Sequence, residues 1–123
     1  MSMQDLLSDF VARINNAVMA EKPVIKVLKN KVVLNVSKKL TTLGYFDSFE
    51  EIGNELEVHV NVAKITKLVR ISKPGHRQYI SYKSIPRILG GKGYNIISSS
   101  KGVMTHVEII NEKIGGEILF QIY

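Results

Sequence analysis

The sequence predicts an α+β protein made of two small α/β halves. The N-terminal half, residues 1–64, reads helix–strand–helix–strand–strand. The C-terminal half, residues 65–123, reads as a mainly antiparallel sheet with short helices. Three observations carry this prediction. Apolar residues recur at helical spacing twice before residue 45, and short β-branched runs punctuated by Gly and Pro dominate thereafter. A chain of 123 residues with 45% hydrophobic content can close a core as one domain or as two small halves sharing a boundary.

In the first helix Leu6, Phe10, Ile14, Ala17 and Val18 recur at three- and four-residue spacing, and Ser2-x-x-Asp5 supplies an opening cap. Val24–Leu28 is short and β-branched, hence a strand. Asn30 caps a second helix whose Val33, Val36, Leu40 and Leu43 face inward, and Gly44 stops it. Tyr45–Ile52 follows as a strand and Gly53-Asn54 as a turn. Leu56, Val58, Val60 and Val62 then alternate with Glu57, His59 and Asn61.

The second half opens with a strand over Ile65–Ser72 and a Pro74-Gly75 turn. Arg77–Ser81 is extended, and Ser84–Leu89 is a brief helix with Pro86 in its first turn and Gly90-Gly91 as its stop. Tyr94–Ser98 is a strand that leads into a loop. Thr105 opens a helix with Glu108 completing a capping box and Met104 stapled onto Ile109. Gly115-Gly116 breaks this helix before a closing strand, Glu117–Tyr123.

Composition narrows the function. The chain has no cysteine, so it holds no disulfide, thiolate nucleophile or Cys-based metal site, which suits a reducing compartment. Its apolar runs are too short for a membrane span, and its start lacks the pattern of a secretory signal. The net charge of +6 is segregated. Lys64, Lys67, Arg70, Lys73, Arg77, Lys83, Arg87, Lys92 and Lys101 follow one another with no acid between them. Lys22, Lys26, Lys29, Lys31, Lys38 and Lys39 make a second acid-free stretch, and Asp47, Glu50, Glu51, Glu55 and Glu57 lie between the two. Such segregation points to a polyanionic partner; a solvated basic face is the plainer reading.

The most informative segment is Ser98-Ser99-Ser100-Lys101-Gly102-Val103-Met104-Thr105. Short hydroxyls can donate to and accept from base edges and ribose 2′-OH groups, a lysine can meet phosphate, and glycine permits close backbone approach. Taken alone, such a segment is a solvated surface turn more often than a site.

The chain resembles small-subunit ribosomal protein eight of bacterial and organellar ribosomes. The resemblance is carried by Ser72-x-Pro74-Gly75-x-Arg77-x-Tyr79, Ile85-Pro86, Gly91-x-Gly93, the octet Ser98–Thr105 and Gly115-Gly116-Glu117, with Met3-Gln4-Asp5, Arg13-Ile14-x-Asn16-Ala17 and Lys31 in the first half. It implies a primary ribosomal-RNA-binding protein whose C-terminal half, 65–123, docks on an irregular helix of the small-subunit RNA central domain and aids assembly. On that resemblance Ser98, Ser99, Ser100, Lys101 and Gly102 are the main contacts. Tyr79 and Glu117 line the same site, and Lys31 meets phosphate from the N-terminal half; independently of the resemblance, Arg77, Lys83, Arg87 and Lys92 would position the RNA through phosphates without reading it. Neighbouring small-subunit proteins would be partners, the protein would act as a monomer within the ribosome, and no membrane, small-molecule substrate or cofactor is implied. The location would be the cytoplasmic ribosome of a bacterium, or an organelle ribosome if the gene is organellar. Some bacterial members also bind their own operon message as feedback regulators.

Departures from the family pattern are Ser99 for Thr, His106 for Asp and Leu6 for Pro. Leu28-Lys29-Asn30 stands for Pro-Ser-Ser, and Lys113 replaces a glycine, which would lengthen the last helix. Together they suggest a divergent lineage. Rival readings are weaker. Ser98-x-x-Lys101 lacks the companion motifs of a serine enzyme. His59, His76 and His106 fit no metal-ligand spacing, and Gly90-Gly91-Lys92-Gly93 lacks a phosphate loop's Lys-Ser/Thr ending. No catalytic or metal-binding residue is therefore assigned. A free-standing RNA chaperone or message-binding regulator, stacking bases on Tyr79, Tyr82 and Tyr94, is the alternative within RNA binding. A protein-interaction module using the acidic 47–57 block is a third reading.

Overall fold

The computed structural model describes residues 3–73, 75–85 and 92–123. The chain divides into two compact units, Met1–Leu68 and Val69–Tyr123. Among the described residues the first unit has α1 (Met3–Ala20), β1 (Val24–Leu28), α2 (Lys31–Thr42), β2 (Phe46–Ile52) and β3 (Glu55–Val60). The second has β4 (Leu68–Arg70, beginning at the boundary), β5 (Tyr79–Ile80), β6 (Tyr94–Ser99), β7 (Gly102–Thr105), α3 (His106–Glu112) and β8 (Gly116–Ile122). The expected Ser84–Leu89 helix, Arg87, Pro74 and the Gly90-Gly91 stop lie wholly or largely outside the described residues, as does the Ser2-x-x-Asp5 cap.

In the first unit β3 is the central strand of an antiparallel sheet ordered β1-β3-β2. Strand alternation sorts its faces: Leu56, Val58 and Val60 are buried, while Glu55, Glu57 and His59 stand on the other side. Both helices pack on the apolar face, and the rings of Phe10 and Phe46 meet edge to face at 6.1 Å. Along α1 the buried stripe is Leu7, Phe10, Val11, Ile14 and Ala17. Leu6 and Val18, expected inward, are half-buried flanks. In α2 the Asn30 side chain accepts the Val33 N–H at 2.8 Å, as its capping role requires. Val33, Val36 and Leu40 are buried with Ser37, and Leu43, expected inward, caps the helix half-buried. At that end Lys64 donates to the Leu43 carbonyl at 2.8 Å and sits 4.9 Å from the centre of the Tyr45 ring. A cation here complements the negative end of the helix dipole, so the first lysine of the long basic run is employed in the fold.

Two strand expectations are corrected. The strand expected over Ile65–Ser72 is only Leu68–Arg70, and Val62 lies beyond β3. The main chain of Leu68, the first residue of β4, is clasped by Asn15, whose side chain both donates to and accepts from it at 2.9 Å. Side-chain hydrogen bonds thus satisfy the main chain where β4 begins.

The second unit is a five-stranded sheet ordered β4-β8-β6-β7, with β5 also pairing β8. Its closing strand is buried on both faces, Leu119 and Gln121 as well as Ile118, Phe120 and Ile122. The buried Gln121 amide donates to Asn95 Oδ1 at 2.9 Å across the β6–β8 ladder, so the polar pair is satisfied internally. Ile97, Met104, Ile109 and Ile118 form a core against which Ile71, Ile80, Tyr82, Ile85 and Ile114 pack. Met104 and Ile109 thus meet as the staple predicts.

The end of α3 overturns one expectation. Lys113 does not lengthen the helix; it ends it, in the left-handed conformation at φ 56°. Its N–H reaches the Ile110 carbonyl and that of Ile114 the Ile109 carbonyl, at 3.2 and 3.3 Å. The terminal carbonyls demand a residue at positive φ, and a lysine adopts it where glycine is the usual choice.

Candidate nucleic-acid interface

The octet is not a free loop. Ser98 and Ser99 end β6, Gly102 begins β7, and the two strands pair as a tight hairpin with Ser98 opposite Val103 and Ser99 opposite Gly102. Gly102 has φ 108°, which a residue with a Cβ rarely adopts. Behind the hairpin Thr105 accepts the Glu108 N–H, and the Glu108 carboxylate accepts the Thr105 N–H, at 3.3 and 3.2 Å. The capping box read from the sequence is present in full.

Register brings distant residues into one row. Tyr79 on β5 lies opposite Glu117 on β8, and Glu117 lies opposite Ser98 on β6. Directly opposed residues share a sheet face, so Tyr79, Glu117 and Ser98 line up beside the hairpin. Tyr79 is 68% exposed. β8 approaches β6 closely here because residue 116 is glycine: a Cβ on it would fall 2.4 Å from the Ser98 carbonyl oxygen.

Strand parity then separates the serines. Ser98 shares the open face with Glu117, whereas Ser99 shares the face of Ile97, the side on which the core lies. The Ser99 hydroxyl lies 2.9 Å from the Gly102 carbonyl and 3.1 Å from Met104 Sδ, and accepts the Lys101 N–H at 3.2 Å. It holds the turn together. Among the described residues the Ser98 and Ser100 hydroxyls have no protein partner, and Ser100 stands exposed at the tip. The Lys101 ammonium reaches Glu112 of α3 at 2.8 Å.

Arg70, in the sequence only one charge in a run, stands on β4 next to β8, the strand that carries Glu117. Burial lowers its guanidinium from the ordinary arginine value, and the Glu117 carboxylate opposes that shift. A shared edge between β4 and β8 could not be read before the strand order was known. Arg77 lies exposed in the segment entering β5. That segment is held by Ser72, whose buried hydroxyl accepts the Gln78 N–H at 2.9 Å. Lys31 belongs to the first unit, where it is the exposed first residue of α2.

His106, the first residue of α3, fixes the helix to β6: its Nδ1 accepts the Asn95 N–H at 3.1 Å, and its ring lies against Tyr94. The ring must be neutral to accept there. Burial lowers its pKa below the ordinary 6.5. The unfolded chain therefore binds the proton more tightly, so the contribution to stability is full above about pH 6.5 and falls as the pH drops through the folded pKa. An NMR titration of His106 should give a midpoint below 6.5, with stability falling on acidification; a midpoint above it would contradict the assigned bond.

The hairpin and the row beside it thus bring together hydroxyls, a carboxylate, an exposed tyrosine and a lysine ammonium, groups that can contact a structured polyanion. The comparisons with known proteins give that class its family. The family model described as "Ribosomal protein S8" matches residues 5–123. The small ribosomal subunit protein uS8c of Pyropia yezoensis is 37% identical, with the whole of both chains covered. The uS8 proteins of Crocosphaera subtropica and Pseudomonas aeruginosa are 35% and 38% identical, again over the whole of both chains. The chain belongs to the ribosomal protein S8 family, a family of structural ribosomal proteins and not of enzymes.

Proposed function

We propose that this protein is an RNA-binding constituent of the small ribosomal subunit, in a ribosome of bacterial or organellar type, with neighbouring small-subunit proteins as its other partners. It docks on an irregular helix of the small-subunit RNA central domain through its C-terminal unit. The observation that carries this is the row Tyr79–Glu117–Ser98 beside a hairpin whose Ser98 and Ser100 hydroxyls are unengaged. A regular A-form helix hides base edges in a narrow groove, so bases are read where they are splayed. Short side chains on a braced hairpin suit that task, because little freedom is lost on binding. In this arrangement Ser98 and Ser100 read, Ser99 and Gly102 shape the turn, and Lys101, Arg77 and Lys31 meet phosphate. Tyr79 and Glu117 form the adjoining wall, with Arg70 behind the carboxylate.

The names of the relatives and the full-length family match support the ribosomal role, and no observation favours the free-standing chaperone. The test is a binding titration against an RNA helix with an internal irregularity, with fully paired duplex and single strand as competitors. Ser100→Ala should weaken binding to the irregular helix by about 1–3 kcal/mol and hardly change affinity for duplex. Lys101→Ala should weaken both and reduce the magnitude of the salt slope by about 0.7–0.9. Equal losses on both RNAs for the serine change would remove the base-reading role, and preference for single strand would favour a chaperone.

A further inference from the structure

We propose that Glu112 is an intramolecular competitor for the RNA backbone: its carboxylate holds the Lys101 ammonium in the free protein and so sets how tightly the hairpin takes phosphate. The proposal rests on the reading of the hairpin as an RNA contact. The second unit has three carboxylates, Glu108, Glu112 and Glu117. Glu108 is committed to the capping box, and Glu117 faces Arg70 from within the sheet. Glu112 has a single partner among the described residues, Lys101 Nζ at 2.8 Å.

Its placement is otherwise unfavourable. Glu112 is the last residue of α3, where the exposed carbonyls already carry negative charge; no residue of the last turn itself is basic, and Lys113 follows at the C-cap. The direct ion pair for the carboxylate comes from Lys101. The root of the lysine is fixed, because its N–H is held by Ser99, so only side-chain rotation separates Nζ bound to Glu112 from Nζ bound to a phosphate. Both partners are about half exposed, 57% and 48%, so the pair is weak enough for RNA to displace. When RNA takes the lysine, Glu112 loses this ion pair. Affinity is thereby lowered by the worth of the pair.

Anisotropy titrations on the irregular RNA helix test this with wild type, E112Q, K101A, the double variant and S100A. E112Q should bind about two- to fivefold more tightly at ~0.1 M salt, the range set by an exposed ion pair. The gain should shrink as salt rises toward ~1 M and screens the pair. It should disappear in the K101A background. An equal gain in that background would mean plain repulsion between Glu112 and RNA and would overturn the proposal. So would unchanged binding by E112Q while K101A and S100A both weaken it. If K101A and S100A each leave binding unaltered, the hairpin is not the RNA contact, and the broader reading falls together with the competitor.

Discussion

Gly116→Ala should destabilise the protein by about 2–3 kcal/mol and disturb RNA recognition together with stability. The added Cβ would lie 2.4 Å from the Ser98 carbonyl oxygen, 3.0 Å from its carbon and 2.9 Å from Ile97 Cγ2. Two of these atoms are main chain, so relief requires β8 and β6 to move apart. That movement shifts Ser98 relative to Glu117 and Tyr79. Urea denaturation should show the loss of stability, and in the RNA titration the irregular helix should lose its advantage over duplex. A variant as stable as wild type would show that the two strands are not held this closely.

Phe10→Ala should cost more, about 3–5 kcal/mol, by removing a fully buried ring from the first unit. The ring packs edge to face on Phe46, which is itself buried, so a cavity is left that helix and sheet can only partly close. The expected readout is a lower urea midpoint with helical signal lost early. Under native conditions the preference for the irregular RNA helix over duplex should persist, because the reading residues belong to the second unit. Loss of that preference in still-folded protein would count against assigning recognition to residues 65–123.

Elements whose signals are local could be read directly from the sequence. Asn30 and the Thr105–Glu108 box are side chains bonding main chain three residues away, and such bonds need no distant partner. The alternation of Leu56, Val58 and Val60 likewise needs only the pleat. Where two answers were locally equivalent, the sequence chose less well. In α1 both Leu6 and Leu7 continue a helical stripe with Phe10, and only packing on the sheet made Leu7 the buried one. Of the expected 65–72 strand only Leu68–Arg70 forms, and its first residue is anchored by Asn15, far away in sequence, a contact that no local pattern announces. Lys113 read as a helix former, yet the closing bonds of α3 required it at positive φ.

By itself the sequence determined the α+β class, the helix caps at Asn30 and Thr105, the segregated positive charge and the octet Ser98–Thr105 as the segment to watch. The tertiary structure decided what each member of that octet does. Strand parity turned Ser99 toward the core and Ser98 outward, and register set Ser98 beside Glu117 and Tyr79. The strand order set Arg70 on β4 next to β8, the strand of Glu117, and the packing of α3 put Glu112 against Lys101. The physical reason is that caps and periodicity are short-range properties of the chain. Cross-strand neighbours are fixed by hydrogen-bond ladders between segments that no local pattern connects.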